Sequence, residues 1–420
     1  FYYSEKMFVL NFFKSAFEGY VPFDRPYWYG VFVRLTSLGG ISLWGVVMAQ
    51  SLLCGSYVLR ISTLALPSHK AEYAALVSCA LLTAGTGLGW YAGQLIPDIF
   101  TGIGLLAVYL LLQGRNGPFL RAFDGLIIVA ACWMHLSNLL ILPLAGMLLL
   151  TVGRRSSSMA VRKQLSWLGL SIALAWGGLA LANRVVDGKA YISRSGHVFL
   201  LGRMIDLGML RPYLEEHCAT QHFGLCAYMD SLPSNSSTFL WDADSPISKE
   251  GGWEATKEEY DKIVRGSLTE PRYLLWHARG SLVSTCEQLC TWEICLGLQT
   301  NWYRVHYCPP YVMIAQHMPN ELESYLGSLQ NGGRGELDMR WPDNVYRLVL
   351  ALSLIAAAWF LLRKERNARV PMARTLIIFS FGAIIIGAWV CATLSVVDSR
   401  YLSRDAWLLP LAVVLACART

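Results

Sequence analysis

Charged residues are scarce in this chain of 420 residues: they make up 15% of it, against about 25% in an ordinary soluble domain. The shortage is concentrated in long uncharged windows such as 375–397, which can cross a bilayer core of about 30 Å. No window alternates apolar and polar residues as the strands of a membrane β-barrel do. Because a backbone in lipid must satisfy its own hydrogen bonds, the sequence predicts an all-α integral membrane protein.

The common site motifs are absent as well. The chain has no P-loop, no GxSxG motif, no GxGxxG nucleotide motif and no metal-ligand spacing, so a soluble nucleotide-sugar donor is not supported. Its basic residues are spread over short loops rather than one face, which argues against a nucleic-acid partner. We predict no cofactor, and a divalent metal ion stays open.

Eight apolar segments are candidate membrane spans. They are 36–61, 72–93, 96–113, 125–152, 165–182, 345–362, 375–397 and 406–416. Three loops, 114–124, 153–163 and 363–374, carry most of the nearby Lys and Arg, and the positive-inside rule places them in the cytoplasm. Because 125–152 both begins and ends beside such a loop, we predict a short helical hairpin there. One long tilted helix is the alternative.

The chain divides by hydropathy into three parts. Residues 1–185 hold an amphipathic outer segment and membrane helices, 186–343 form an extracytoplasmic domain, and 344–420 hold the C-terminal membrane helices. The stretch 186–340 has 13 Lys and Arg against 19 Asp and Glu, although the whole chain has a net charge of +6. Helical spacing in this stretch predicts a mostly helical domain. We also expect a segment to precede Phe1.

Six of the 11 cysteines lie in the extracytoplasmic domain. An even number on the outer side of a membrane predicts disulfides, and the favoured bond joins Cys218 to Cys226. A zinc site is the rival for the cluster Cys286, Cys290 and Cys295, although the spacing matches no standard zinc pattern. Free buried thiols are the remaining alternative.

Acidic residues near the start of the chain are candidate general bases. Glu5 lies in an amphipathic stretch that suits the membrane interface. Asp24 and Arg25 lie among aromatic residues shortly before the first span. Such a mixture is typical of an interfacial belt. The functional interpretation makes Asp24 or Glu5 a catalytic carboxylate and Arg25 a substrate-binding residue.

Two loops between spans carry further polar candidates. Gln94 and Asp98 lie in a tight outer turn, where Asp98 either caps the next helix or faces a polar cavity as a third candidate for catalysis. His135 and Asn138 interrupt an apolar stretch, and polar groups at membrane depth are often functional. They could also satisfy the backbone groups of the predicted hairpin turn.

Cationic residues at the membrane boundary are candidate phosphate ligands. Arg194, His197 and Arg203 begin the extracytoplasmic domain, and Arg400, Tyr401 and Arg404 precede the last span. On a helix, Arg400 and Arg404 share one face, and two guanidiniums can hold a lipid phosphate. Pairing with Asp398 and Asp405 in a solvated cluster is the alternative.

The layout of these parts resembles the GT-C superfamily of membrane glycosyltransferases. An outer amphipathic segment, short paired spans, a late soluble domain and an Arg-Tyr pair before a final span with Pro410 carry the resemblance. The stretches from Asp24 to Gly30 and from His197 to Met204, and Phe239-Leu240-Trp241 with Ser245-Pro246, are more similar to an uncharacterised bacterial family of polytopic proteins.

The resemblance implies a function and a location. It implies a GT-C-like helical bundle in the bacterial inner membrane, with its large domain on the periplasmic side. A polyprenyl-phosphate-linked sugar would be the donor, and an acidic residue of the first outer loop, here Glu5 or Asp24, the base. The chain departs from the family in having no Asp-Asp or Asp-Glu pair in 1–40. The alternative is a non-catalytic subunit that binds lipid or partner proteins of a membrane complex, and a transporter ranks below both.

Overall fold

The computed structural model describes residues 14–114, 116–152, 158–294, 309–328, 338–363 and 371–419. Within these ranges the chain forms helices and no strand, which confirms the all-α prediction. The helices in chain order are α1 (Trp28–Thr36), α2 (Trp44–Ala65), α3 (Ser68–Gly85), α4 (Leu88–Gly93), α5 (Ile99–Gln113), α6 (Pro118–Met134), α7 (Asn138–Val152), α8 (Ser158–Asp187), α9 (Gly196–Asp206), α10 (Leu210–Gln221), α11 (Ser236–Trp241), α12 (Pro246–Lys249), α13 (Lys257–Thr269), α14 (Pro271–Leu289), α15 (Pro309–His317), α16 (Leu322–Leu326), α17 (Arg340–Leu362), α18 (Pro371–Leu394), α19 (Ser399–Ala406) and α20 (Leu408–Arg419).

Among the described residues, five helical segments are long and apolar enough to cross a membrane. They are Trp44–Ala65, Arg162–Asp187, Arg340–Leu362, Met372–Leu394 and Ser399–Arg419. The helices α5 and α7 are apolar but shorter. The sequence-predicted span 72–93 is divided between α3 and the six-residue α4, because the chain leaves the helix at Thr86, whose backbone is extended.

Helix α5 forms the centre of the first of two compact units, which comprises Phe1–Ile192, Trp292–Gly387 and Ser399–Thr420. Every residue of α5 except Gln113 is buried, and α2, α6, α7, α8 and α19 pack around it. The close approach depends on Gly102, where a Cβ would lie 2.6 Å from the ring of the fully buried Trp407. An apolar helix enclosed on all sides is typical of a bundle core.

The stretch 125–152 is interrupted where the sequence suggested. Helix α6 ends at Met134 and α7 begins at Asn138. The backbone of His135 is extended, and the Asn138 amide donates to the Ala131 carbonyl over 2.9 Å, which adds a second hydrogen bond to the one this carbonyl accepts from the His135 backbone N–H. The return of this segment to the cytoplasmic side stays a prediction.

The second unit comprises Ser193–Thr291 and Ala388–Asp398. Helices α9, α10, α13 and α14 surround its hydrophobic core, which includes Leu201, Phe239, Tyr260 and Tyr273. Its first segment ends at Thr291, and Trp292–Gly387 belongs to the first unit, whereas the extracytoplasmic domain 186–343 stays a prediction. In the first unit the Glu321 carboxylate accepts a hydrogen bond from the Leu43 amide over 2.8 Å, and the Asp343 carboxylate accepts one from the Ile294 amide over 2.8 Å.

The predicted bond between Cys218 and Cys226 is formed in the second unit, while Cys286 and Cys290 are exposed free thiols. The other two cysteines of the predicted domain, Cys295 and Cys308, lie outside the described residues. A bond that closes a loop of sequence separation 8 restricts the unfolded chain modestly.

We expect Cys218→Ser to lower the free energy of unfolding of this unit by roughly 2–3 kcal/mol, because loop closure is lost from the unfolded state. Chemical denaturation followed by fluorescence measures the change. The control is Cys286→Ser, which removes an exposed thiol and should leave the transition unchanged. Equal stability of the oxidised and reduced wild-type protein would contradict the prediction.

Candidate functional site

Asp98 occupies the centre of the candidate site, immediately before α5. Its side chain is almost fully buried, with 3% exposed. Although it stands at the N-cap position, it makes no capping hydrogen bond. Its Oδ1 atom instead lies 3.2 Å from Arg404 Nη1. Asp98 thus lies at the helix N-terminus, as the capping interpretation has it, but its carboxylate makes a buried ion pair and no capping hydrogen bond.

Arg404 lies in α19, and none of its side chain is exposed. Besides Asp98, its Nη1 atom donates to His135 Nε2 over 3.0 Å, and its Nη2 atom to Ser137 Oγ over 3.3 Å. The sequence alternative of a solvated cluster is therefore wrong for this residue. A buried guanidinium needs such partners, because an unpaired charge in the protein interior costs several kcal/mol.

His135 and Ser137 form the side of the site between α6 and α7. His135 Nδ1 lies 2.8 Å from Ser137 Oγ. Since Arg404 has only hydrogens to donate, His135 Nε2 accepts, and the ring proton is on Nδ1 and faces Ser137. Asn138, in contrast, contacts the backbone. The two polar residues that the sequence singled out thus have different roles.

Tyr401 holds the two arginines of α19 together. The Arg400 and Arg404 guanidinium carbons lie 4.8 and 5.0 Å from the centre of its ring, within the range of cation–π attraction. Arg400 Nη2 also donates to the Tyr401 hydroxyl over 3.0 Å, and Arg400 Nε lies 4.0 Å from Asp98 Oδ1. The predicted shared face of Arg400 and Arg404 is formed around this ring.

Arg25 and Asp24 add a third guanidinium and a second carboxylate. Arg25 Nε lies 3.9 Å from Asp24 Oδ2, and both side chains are mostly buried. Burial lowers the pKa of the Arg25 guanidinium to about 10, and the nearby Asp24 carboxylate partly opposes this shift. Arg25 also interacts electrostatically with Arg400 and Asp98. Because this pKa is far above neutrality, Arg25 is charged. The site therefore contains the guanidiniums of Arg25, Arg400 and Arg404 together with the carboxylates of Asp24 and Asp98.

The turn before Asp98 is held by a residue that the sequence analysis missed. Gln50, fully buried in α2, donates to the Ala92 and Gln94 carbonyls, each over 3.0 Å, and accepts from the Tyr29 hydroxyl over 3.0 Å. The signal was a glutamine in the apolar first half of α2. Gln94 itself is buried, and its Oε1 atom has no hydrogen-bond partner among the described residues.

A second buried ion pair was also missed. Asp124 of α6 is fully buried and accepts hydrogen bonds from Arg60 Nη1 and Nη2 at 2.6 and 2.7 Å. It also accepts from the Tyr57 hydroxyl at 2.9 Å and from Asn116 Nδ2 at 3.1 Å. The signal was an arginine inside a span. All four donors are protein groups, so this cluster joins helices rather than presenting a site.

The remaining candidates belong to the second unit. Arg194 pairs with Glu254 over 2.7 Å, and the buried Arg203 donates to Asp206 over 3.0 Å and to Ser284 Oγ over 2.8 Å. Burial lowers the pKa of His197 from its ordinary value of 6.5. The structure therefore groups Asp98, His135, Arg400, Tyr401 and Arg404 in one unit and places Arg194, His197 and Arg203 in the other. Glu5 lies outside the described residues.

No known protein supplies an assignment for this arrangement. Comparison with protein-family models, with curated proteins and with solved structures finds no match. In the part of the chain that the structure describes, no group of three or more His, Cys, Asp or Glu residues could hold a metal ion. The chemistry of the site therefore has to be argued from its arginines and carboxylates.

Proposed function

We propose that the chain is a membrane glycosyltransferase-like protein that binds a polyprenyl-phosphate-linked sugar at the outer face of the cytoplasmic membrane. The observation that carries the proposal is the pair Arg400 and Arg404, which lie around Tyr401 in α19, the first part of the candidate span Ser399–Arg419. Guanidinium groups bind phosphate oxygens by charge-assisted, often bidentate hydrogen bonds.

The charge of the site favours an anionic ligand. The site brings together the guanidiniums of Arg25, Arg400 and Arg404 beside the carboxylates of Asp24 and Asp98. These guanidiniums are mostly buried, and there their attraction to a phosphate is stronger than in water. An apolar polyprenyl chain would extend along the neighbouring hydrophobic helices.

Glycosyl transfer would proceed by inverting displacement. The acceptor hydroxyl oxygen attacks the anomeric carbon, and the bond from that carbon to the lipid phosphate oxygen breaks. A carboxylate takes the hydroxyl proton, and the arginines stabilise the charge that develops on the leaving phosphate. Asp24 suits the role of base better than Asp98, since Asp98 is held closer to a guanidinium, at 3.2 Å against 3.9 Å.

The second candidate is a non-catalytic subunit that binds lipid and partner proteins. The observation in its favour is that both carboxylates of the site lie within 4.0 Å of an arginine, and such pairing weakens a general base. In this alternative the arginines anchor a lipid phosphate without turnover.

The test of lipid binding uses Arg400→Ala in the full chain, purified in detergent, with polyprenyl phosphate and the uncharged polyprenol as paired probes. Losing a charge-assisted hydrogen bond costs about 1.5–3 kcal/mol, so we expect affinity for the phosphate to fall at least about 10-fold. Affinity for polyprenol should not change. The control is Arg363→Ala, another arginine at the end of a membrane helix, which is exposed.

Two further results separate the candidates. Unchanged affinity for polyprenyl phosphate in Arg400→Ala would contradict both candidates. Full competition by inorganic phosphate would show that the site recognises the phosphate group and not the polyprenyl chain. Release of polyprenyl phosphate from a glycosylated donor, slowed about 100-fold in Arg400→Ala and abolished in Asp24→Asn, would support the enzyme. Tight binding without release would support the subunit.

A further inference from the structure

Asp405 is a buried carboxyl group that the proposed chemistry does not use. None of its side chain is exposed, and neither carboxyl oxygen receives a hydrogen bond from any other described residue. It follows Arg404 directly, yet successive residues of a helix point about 100° apart, and the Arg404 guanidinium is directed to Asp98 and His135. Asp405 therefore makes no hydrogen-bonded ion pair with Arg404, although the two residues interact electrostatically.

The surroundings of Asp405 compensate a negative charge only in part, because Arg404 attracts the carboxylate and the backbone N–H of Asp405 itself donates to it, while no other described residue gives it a hydrogen bond. The backbone of α18 approaches so closely that a Cβ on Gly387 would lie 2.7 Å from Asp405 Oδ2. The buried Tyr346 hydroxyl of α17, which also has no hydrogen-bond partner among the described residues, interacts with it electrostatically, as do Arg404 and Asp98. Tyr346 interacts in turn with Asp343.

We propose that Asp405 is a proton-binding site inside the first unit and holds its proton at neutral pH. An isolated carboxylate in a low-dielectric interior costs so much that the group binds a proton instead. Asp98 and Asp124 show the opposite solution, because each is compensated by arginine. Of these three buried carboxyl groups, Asp98 and Asp124 are charged and Asp405 is neutral.

The proton has a consequence for the neighbouring arginines, and this part rests on the proposed function. Asp405 and Arg404 interact electrostatically. Release of the proton would add a negative charge next to Arg404 and weaken the attraction of the arginines for an anion. Anion affinity should therefore fall when Asp405 ionises, so that the protonated state is the binding-competent one.

Infrared spectroscopy of the full chain tests the proton directly, without any lipid ligand. At neutral pH we expect a neutral-carboxyl C=O band that shifts in D₂O and disappears in Asp405→Asn, with an unchanged melting temperature. The band should persist in the control Asp124→Asn. If Asp405→Asn does not fold, wild-type protein carrying ¹³C-labelled aspartate carboxyls provides the same readout. Absence of a neutral aspartic-acid band would overturn the proposal.

The coupling is tested by binding of inorganic phosphate and polyprenyl phosphate over a range of pH. We expect affinity to fall at least 3-fold when the infrared band is lost at alkaline pH in the wild type, and the fall to be absent in Asp405→Asn, which also corrects for ionisation of the phosphate. A band that titrates without this difference would refute the coupling while leaving the proton site supported. Failure of both proteins to bind phosphate at any pH would refute the proposed function and the coupling together.

Discussion

Replacing Asp98 with alanine is expected to lower the free energy of unfolding of the first unit by about 3–5 kcal/mol, which is the cost of removing one partner of a buried ion pair. Arg404 has no exposed surface and would lose its carboxylate at 3.2 Å. Its remaining partners, His135 and Ser137, are neutral acceptors. Unfolding in detergent, followed by tryptophan fluorescence, measures the loss.

The same variant should respond more strongly to an anionic ligand. Polyprenyl phosphate would supply the negative charge that Asp98 no longer provides, so saturating lipid should stabilise Asp98→Ala more than the wild-type protein. The control is Glu72→Ala, which removes an exposed acid of α3 and should change stability by less than about 0.5 kcal/mol. Wild-type stability of Asp98→Ala without lipid would show that Arg404 does not depend on this carboxylate.

Replacing Asp124 with alanine is expected to lower the free energy of unfolding by a similar amount, about 3–5 kcal/mol. Polyprenyl phosphate should not restore this loss. This carboxylate accepts from Arg60, Tyr57 and Asn116, and none of it is exposed. Removing it leaves a guanidinium and a buried hydroxyl without their acceptor. The same fluorescence measurement reports the change.

Asp124→Asn is the graded control for this cluster. The amide keeps one acceptor oxygen and loses the charge, so the variant should lie between alanine and wild type in stability. Polyprenyl phosphate should stabilise neither variant more than the wild type, since Asp124 pairs with Arg60 and not with the arginines of α19. An alanine variant as stable as the wild type would contradict the assignment of Asp124 as a structural anchor.

The sequence was informative wherever polar residues interrupt or adjoin apolar segments. Asp98, His135, Arg400, Tyr401 and Arg404 were all singled out for this reason, and the structure brings them together. The cost of placing polar groups at membrane depth makes each of them conspicuous. Which of them meet could not be predicted, because 306 residues separate Asp98 from Arg404.

Other parts of the site were outside the reach of pattern analysis. Asp405 entered the sequence analysis only in the alternative of a solvated cluster with the arginines, and its burial depends on how α19 packs against α18, which local spacing does not determine. Gln50 and Asp124 were missed because a single polar residue in a helix predicts no partner. The division of the chain after Thr291 has the same origin, since Glu321 and Asp343 contact residues distant along the chain.

The enclosure of α5 has a consequence for how the protein responds to its bilayer. A helix of 15 residues is about 22 Å long at 1.5 Å per residue, shorter than a hydrocarbon core of about 30 Å. Because other helices surround α5, its length does not have to match the thickness of the hydrocarbon core. A thinner or thicker membrane would tilt the outer helices first, while Asp98, fixed at the start of α5, would keep its depth relative to the protein rather than to the lipid.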